Sequence, residues 1–255
     1  MELDRTSVER SFGQYTAAYN AEDPKIRLKI DHTYRVAGLC EAIAGSVKDA
    51  DADLAWLTGM LHDIGRFEQV RRYGTFFDAE SVDHAAFGAD LLFCEGLLDT
   101  LVPGYPDRMT EKELAILEKS VRFHSLFRLP DDLDEPERLY CDILRDADKI
   151  DIYRVNCDTP PEDIYNVSTR ELKEAGVSDE VKECFRNRTA VFRPLRKTAA
   201  DYLVGHICLV FELRFPVSRR IVREQGYIDR MLAFHSDNPD TQAWFEYMKN
   251  ELEKT

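Results

Sequence analysis

The stretch MLHDIGRFEQ, Met60 to Gln69, decides how this chain is read. Ahead of the doublet, Leu54, Leu57, Met60 and Leu61 recur at helical spacing, so a helix runs into His62-Asp63. Imidazole nitrogen and carboxylate oxygen are both ligands for divalent transition metals. Successive helical residues point about 100° apart, so neighbours grip one ion only where regular helix stops. Gly65 is expected to supply that stop. His32 lies upstream and the run DADKID, residues 146–151, lies far downstream. His32, His62, Asp63 and one aspartate of that run make a single-metal shell.

Outward from this stretch the helical signals are dense and strand signals few. Asp23-Pro24 reads as N-cap and N1 of a long helix to about Val47, with Ile26, Ile30, Val36, Leu39, Ile43 and Val47 near helical spacing and His32 in its middle. Residues 5–19 are amphipathic. After the doublet, RRYGTFFDAESVD (71–83) reads as an ordered loop around Gly74 that covers the cleft. A helix from about Val82 to Cys94 carries His84 in its first turn. Thr110 with Glu113 forms a capping box for the helix that bears Leu114, Leu117, Val121 and His124, and Pro136 opens the helix that holds DADKID. Beyond Tyr153, Pro160-Pro161 marks a turn, and Ser168 with Glu171 gives a second capping box. Helices are expected near 178–192, 195–214, 216–234 and 240–253. The fold class is all-α, a metal-binding helical core over 1–155 with a carboxyl-terminal helical extension, 156–255, packed on it.

A lone His, an HD doublet, then a late Asp, in that order and each in an apolar helical context, resembles the HD superfamily of metal-dependent phosphohydrolases. The resemblance covers roughly residues 24 to 155, and HDIGRFE is close to the family's HDIGK. His84 and His124 fall where the two-metal branch of that superfamily places its extra ligands. Read singly, His84 is a helix-start residue beside Asp83, and His124 a cleft histidine bonded to a carbonyl. Helical phase does not choose among Asp146, Asp148 and Asp151; the resemblance favours Asp148, which stands directly before Lys149. The remaining histidines, His206 and His235, match no motif and read as packed or surface residues.

The resemblance implies a phosphohydrolase that cleaves a small phosphate ester, a nucleotide or dinucleotide, with a hydroxide held between two divalent ions. His32, His62 and Asp148 would hold one ion, His84 and His124 the other, and Asp63 would span both. Mixed nitrogen and oxygen ligation at this count suits iron or manganese better than tetrahedral zinc. Arg66, in place of the family's lysine, and Lys149 offer cations for substrate phosphate, with salt bridges as the alternative for each. The same ligand order also resembles the HD-type di-iron oxygenases, and a non-catalytic nucleotide-sensing module is a third reading.

Composition agrees with a globular protein. The chain has 255 residues, 44% hydrophobic and 32% charged, enough for a sizeable core. Its net charge of -14 repels polyanions, so long nucleic acid is not an expected partner, while a small phosphorylated substrate held by local cations is. Asp4, Arg5, Glu9 and Arg10 interrupt any signal-peptide core and no stretch reaches membrane-spanning length, so a cytoplasmic protein without membrane partner is expected. Six scattered cysteines, Cys40, Cys94, Cys141, Cys157, Cys184 and Cys208, read as buried reduced thiols. The basic run from Arg186 to Lys197, with Arg188, Arg193 and Arg196, reads as a solvated helix face or as a patch reaching the cleft.

Overall fold

Every residue from Leu54 to Leu61 is buried, which identifies the helix entering the doublet as the one the first half of the chain is built around. A helix apolar on all sides must be surrounded on all sides. The computed structural model describes residues 3–20 and 22–254. Its helices begin with α1 (Arg5–Thr16), α2 (Pro24–Ala44), α3 (Ala52–Leu61), α4 (Ile64–Tyr73), α5 (His84–Phe93), α6 (Leu97–Leu101), α7 (Tyr105–Arg108), α8 (Glu111–Phe123) and α9 (Glu135–Asp158). There follow α10 (Pro161–Tyr165), α11 (Thr169–Glu174), α12 (Asp179–Arg186), α13 (Ala199–Ile207), α14 (Pro216–Gln225), α15 (Tyr227–Leu232) and α16 (Pro239–Glu253). No strand occurs among the described residues, and the fold is all-α. The chain divides into two compact units, one ending at Asp148 and the other beginning at Lys149, a division that falls inside α9.

In the first unit, Asp23 caps α2 by accepting the Lys25 amide, with Pro24 at N1. α2 lies unusually close to α3. A Cβ on Gly59 would meet the Ala37 Cα at 2.6 Å, so glycine there is a packing requirement. Burial of Leu54, Leu57, Met60 and Leu61 contributes about 1.5–3 kcal/mol each before entropy is counted. α5 packs on both α4 and α8. Phe12 of α1 meets Phe67 of α4 edge to face, with centroids 5.9 Å apart.

The break at the doublet is not made by Gly65. That residue lies inside α4, and regular helix is interrupted one step earlier, at Asp63, whose φ of -101° and ψ of 16° form the N-cap. Gly65 instead permits a close approach. A Cβ there would lie 2.3 Å from the His84 carbonyl oxygen and 2.8 Å from the Gly88 nitrogen. The expected loop 71–83 is likewise shorter, because Arg71, Arg72 and Tyr73 finish α4 before Gly74 turns left-handed at φ 69°.

The second unit is cut more finely than apolar spacing predicts. The expected helix 178–192 stops at Arg186, where Arg188 adopts φ 53°. The expected 195–214 becomes α13, opened by a Thr198/Asp201 capping box, and a 3-10 turn over Cys208–Glu212. The expected 216–234 is split by left-handed Gly226 into α14 and α15. α16 fills the last expected segment, 240–253, and starts one residue earlier, at Pro239. The Ser168/Glu171 capping box opens α11 as read. Among the cysteines only Cys40, Cys141 and Cys208 are buried; Cys94 is exposed, Cys157 and Cys184 are intermediate, and all six are free thiols.

Candidate metal centre

Six helices bring six side chains to one point. His32 comes from the middle of α2, His62 from the end of α3, Asp63 from the start of α4, and His84 from the first turn of α5. His124 follows the last residue of α8, and Asp148 lies on α9. The four histidines and Asp63 are buried, none more than 5% exposed, while the Asp148 side chain is 20% exposed.

The two oxygens of Asp63 face different histidine pairs. Oδ2 lies 3.6 Å from His32 Nε2 and 3.4 Å from His62 Nε2. Oδ1 lies 3.4 Å from His84 Nε2 and 3.7 Å from His124 Nε2. Within the pairs, His32 and His62 approach Nε2 to Nε2 at 3.3 Å, and His84 and His124 at 3.1 Å. Asp148 Oδ1 adds a fourth atom to the first group, 3.2 Å from His32 Nε2.

The outer ring nitrogens settle what those inner nitrogens carry. His62 Nδ1 donates to the Gly59 carbonyl at 2.7 Å and His124 Nδ1 to the Val121 carbonyl at 2.7 Å. A carbonyl only accepts, so the proton is on Nδ1, and a neutral ring then has a bare lone pair at Nε2. His84 Nδ1 donates to Asp78 Oδ2 at 2.8 Å with the same consequence. Burial pushes the His62 pKa down, and burial with the nearby Arg66 charge pushes that of His84 down to about 3, so both rings are neutral. At 3.1 Å, the lone pairs of His84 and His124 repel unless a cation lies between them.

The spacing fits such cations. With ligand bonds of about 2.1 Å, donor atoms at right angles sit roughly 3.0 Å apart and tetrahedral ones roughly 3.4 Å. The separations here span 3.1 to 3.7 Å. The sets His32-His62-Asp148 and His62-Asp63-His124 each converge tightly enough to hold an ion. A further group, Asp78-Asp83-His84, also converges, but Asp78 accepts from His84 Nδ1 and Asp83 caps α5, so both carboxylates are already engaged.

Two residues around the centre carry no signal that the sequence reading used. Lys29, one turn before His32 on α2, places Nζ 2.6 Å from Asp63 Oδ2. Its spacing of three residues from His32 puts both on one helix face, which is the cue that would have found it. Burial alone would raise the Asp63 carboxyl pKa; the Lys29 ammonium overrides burial and holds it well below the usual range. Asp78, from the loop after α4, orients His84 and also takes Arg66 Nη1 at 2.8 Å.

Arg66 stands beside the centre with its guanidinium engaged. Nη1 reaches the Phe76 carbonyl and Gln69 Oε1 as well as Asp78, and Nε lies 3.7 Å from Asp63 Oδ1. Lys149 follows Asp148 in α9 and is buried, as are Asp146 and Asp151. His206 is half-buried in the second unit against Tyr165 and Asn156, and His235 is also in that unit. No helix among the described residues is long and apolar enough to cross a membrane.

Residues 30–153 match the family model of the HD domain, a span that contains all six converging side chains. Comparison with curated proteins finds no match, and neither does comparison with solved structures.

Proposed function

We propose that the chain, whose residues 30–153 match the HD-domain family model, is a metal-dependent phosphohydrolase that cleaves a small phosphate ester, a nucleotide or dinucleotide, at a pair of divalent transition-metal ions. His32, His62 and Asp148 would hold one ion, His84 and His124 the other, and Asp63 would give one oxygen to each. The observation that carries this reading is the arrangement around Asp63: two histidine pairs, one per carboxylate oxygen, each with Nε2 atoms 3.3 Å or less apart.

When bound, such an ion pair supplies a nucleophile from water at neutral pH and positive charge for the phosphoryl oxygens. The protein's own residues do the rest. Gly59, Val121 and Asp78 lock three ring tautomers, so lone pairs point inward without reorganisation. Burial of the four rings keeps bulk water from their nitrogens. Arg66 steadies Asp78 and lies beside Asp63, which supports the salt-bridge alternative of its two expected roles. Four imidazoles and two carboxylates favour iron or manganese over zinc.

The test is phosphate release by manganese-loaded protein under strictly anaerobic conditions, with nucleotides and small phosphate esters as substrates, in labelled water. Hydrolysis predicts turnover without dioxygen and one labelled oxygen in the product. Strict dependence on iron and dioxygen, with label arriving from the gas, would replace the hydrolase by an oxygenase of the same fold.

A further inference from the structure

Lys29 lies at the solvent-reaching side of the centre. The four histidines and Asp63 are buried, whereas the side chains of Lys29 and Asp148 remain 18% and 20% exposed, somewhat more than Arg66 and Asp78 at 12% and 16%. The Lys29 ammonium contacts Asp63 Oδ2 at 2.6 Å and lies 5.8 Å from the centre of the Phe76 ring. Its carboxylate partner is therefore the same oxygen that faces His32 and His62. Arg66 differs in having Asp78 as a carboxylate of its own.

Counted over two divalent ions, their six ligands and Lys29, charge at a loaded centre would not balance without a further ligand. Two divalent ions bring four positive charges, Asp63 and Asp148 return two, and neutral histidines return none. Lys29 raises the excess to three, because the carboxylate it pairs with is then shared with the ions. A water that has lost a proton returns one. A phosphomonoester, doubly ionised at neutral pH because its second pKa is about 6, returns the remaining two, whereas a diester returns one. A desolvated cation beside two metal ions is expensive unless an anion lies between them.

We infer that Lys29 binds the phosphoryl group of the substrate at the solvent-reaching side of the metal centre, and that this side selects a phosphomonoester dianion over a phosphodiester. The inference rests on the two-ion hydrolase reading above. An ammonium with three donors and about one-fifth exposure can leave Asp63 Oδ2 for a phosphoryl oxygen by rotation of its own stem, without movement of α2.

The test uses the full manganese-loaded chain and two probes, inorganic phosphate and dimethyl phosphate, with affinity measured by calorimetry and metal content by mass spectrometry. Wild-type protein should bind phosphate more tightly than dimethyl phosphate. Lys29→Met should weaken phosphate binding about ten-fold or more, as loss of a charge-assisted hydrogen bond does, with both manganese ions retained. Lys29→Arg should recover most of that loss, and in turnover the Met variant should show its defect mainly in KM. Unchanged phosphate affinity in Lys29→Met would overturn the inference, as would an equal preference for dimethyl phosphate in wild type. Loss of manganese from Lys29→Met would overturn it too, because Lys29 would then serve Asp63 and not substrate. Failure of the two-ion reading is read separately, from a wild-type manganese content below two.

Discussion

Asp63 in the first unit and Asp201 in the second are both buried aspartates close to a helix start, yet their surroundings differ in kind. Asp201 is filled by protons. Its Oδ1 accepts from the Ser178 amide at 2.8 Å, and its Oδ2 from the Ser178 hydroxyl at 2.6 Å and the amides of Lys197 and Thr198 at 2.9 and 3.0 Å. Asp63 is faced by four ring nitrogens, of which three have given their proton to the other side of the ring. One histidine of the second unit follows the Asp201 pattern: His206 Nδ1 meets Tyr165 Oη at 2.9 Å and Asn156 Oδ1 at 3.1 Å, and the Tyr165 hydroxyl donates to the same Asn156 oxygen, so donors and acceptors answer one another. A structural polar cluster satisfies itself, and a ligand cluster leaves converging lone pairs. Burial does not distinguish the two; the location of the protons does.

The sharpest way to break this contrast is to remove one charge from each unit. Asp63→Asn keeps shape but cannot serve two cations, so turnover should fall by more than the about 100-fold that a lost outer partner of a metal ligand costs. Circular dichroism should show the variant folded. Asp201→Asn should do the reverse. It should lower unfolding free energy by about 2–3 kcal/mol through lost charge-assisted hydrogen bonds, visible in urea melts, while turnover per folded molecule is kept. Near wild-type turnover in folded Asp63→Asn, or metal-dependent activity lost in Asp201→Asn, would erase the distinction.

A smaller effect is expected at Gly65, because the contrast depends on α4 and α5 lying close enough for Asp63 Oδ1 to face His84. In Gly65→Ala the added methyl would press on the His84 carbonyl oxygen, so the helices must part. Thermal and urea melts should show a loss of about 1–3 kcal/mol, as overpacking gives, together with weaker binding of one metal ion. An alanine variant with wild-type stability and metal content would show that the approach of α4 to α5 is not needed to assemble the centre.

Much of this was legible in the sequence, and the gaps have physical causes. Caps and periodicity find α2, α8 and α11 because Asp23-Pro24, Thr110/Glu113 and Ser168/Glu171 act on their own neighbours. The histidine order and the doublet mark the candidate centre because each candidate ligand sits in an apolar helical frame. Gly65 was misread because glycine at a helix start serves either a turn or a close approach, and only the neighbouring helix tells which. Helical phase left Asp146, Asp148 and Asp151 equivalent; the approach of Asp148 Oδ1 to His32 is tertiary. Lys29 and Asp78 act across 34 and 6 residues, on Asp63 and on His84; the spacing from His32 places Lys29 on the same helix face, but its contact with Asp63 is tertiary. In the second unit, Gly226 and Arg188 adopt left-handed conformations that end helices whose apolar spacing would have let them continue.

The central claim, that Asp63 divides its oxygens between two ions, is tested most directly by counting metal. Protein purified without chelator and reconstituted with manganese or iron should hold about two ions per chain by mass spectrometry. His84→Ala and His124→Ala should each drop towards one, since those rings place the nitrogens that face Asp63 Oδ1, while His206→Ala, whose ring is engaged by Tyr165 and Asn156, should keep two. A wild-type chain that saturates at a single ion, unchanged by His84→Ala or His124→Ala, would contradict the account and leave Asp63 a ligand of one metal.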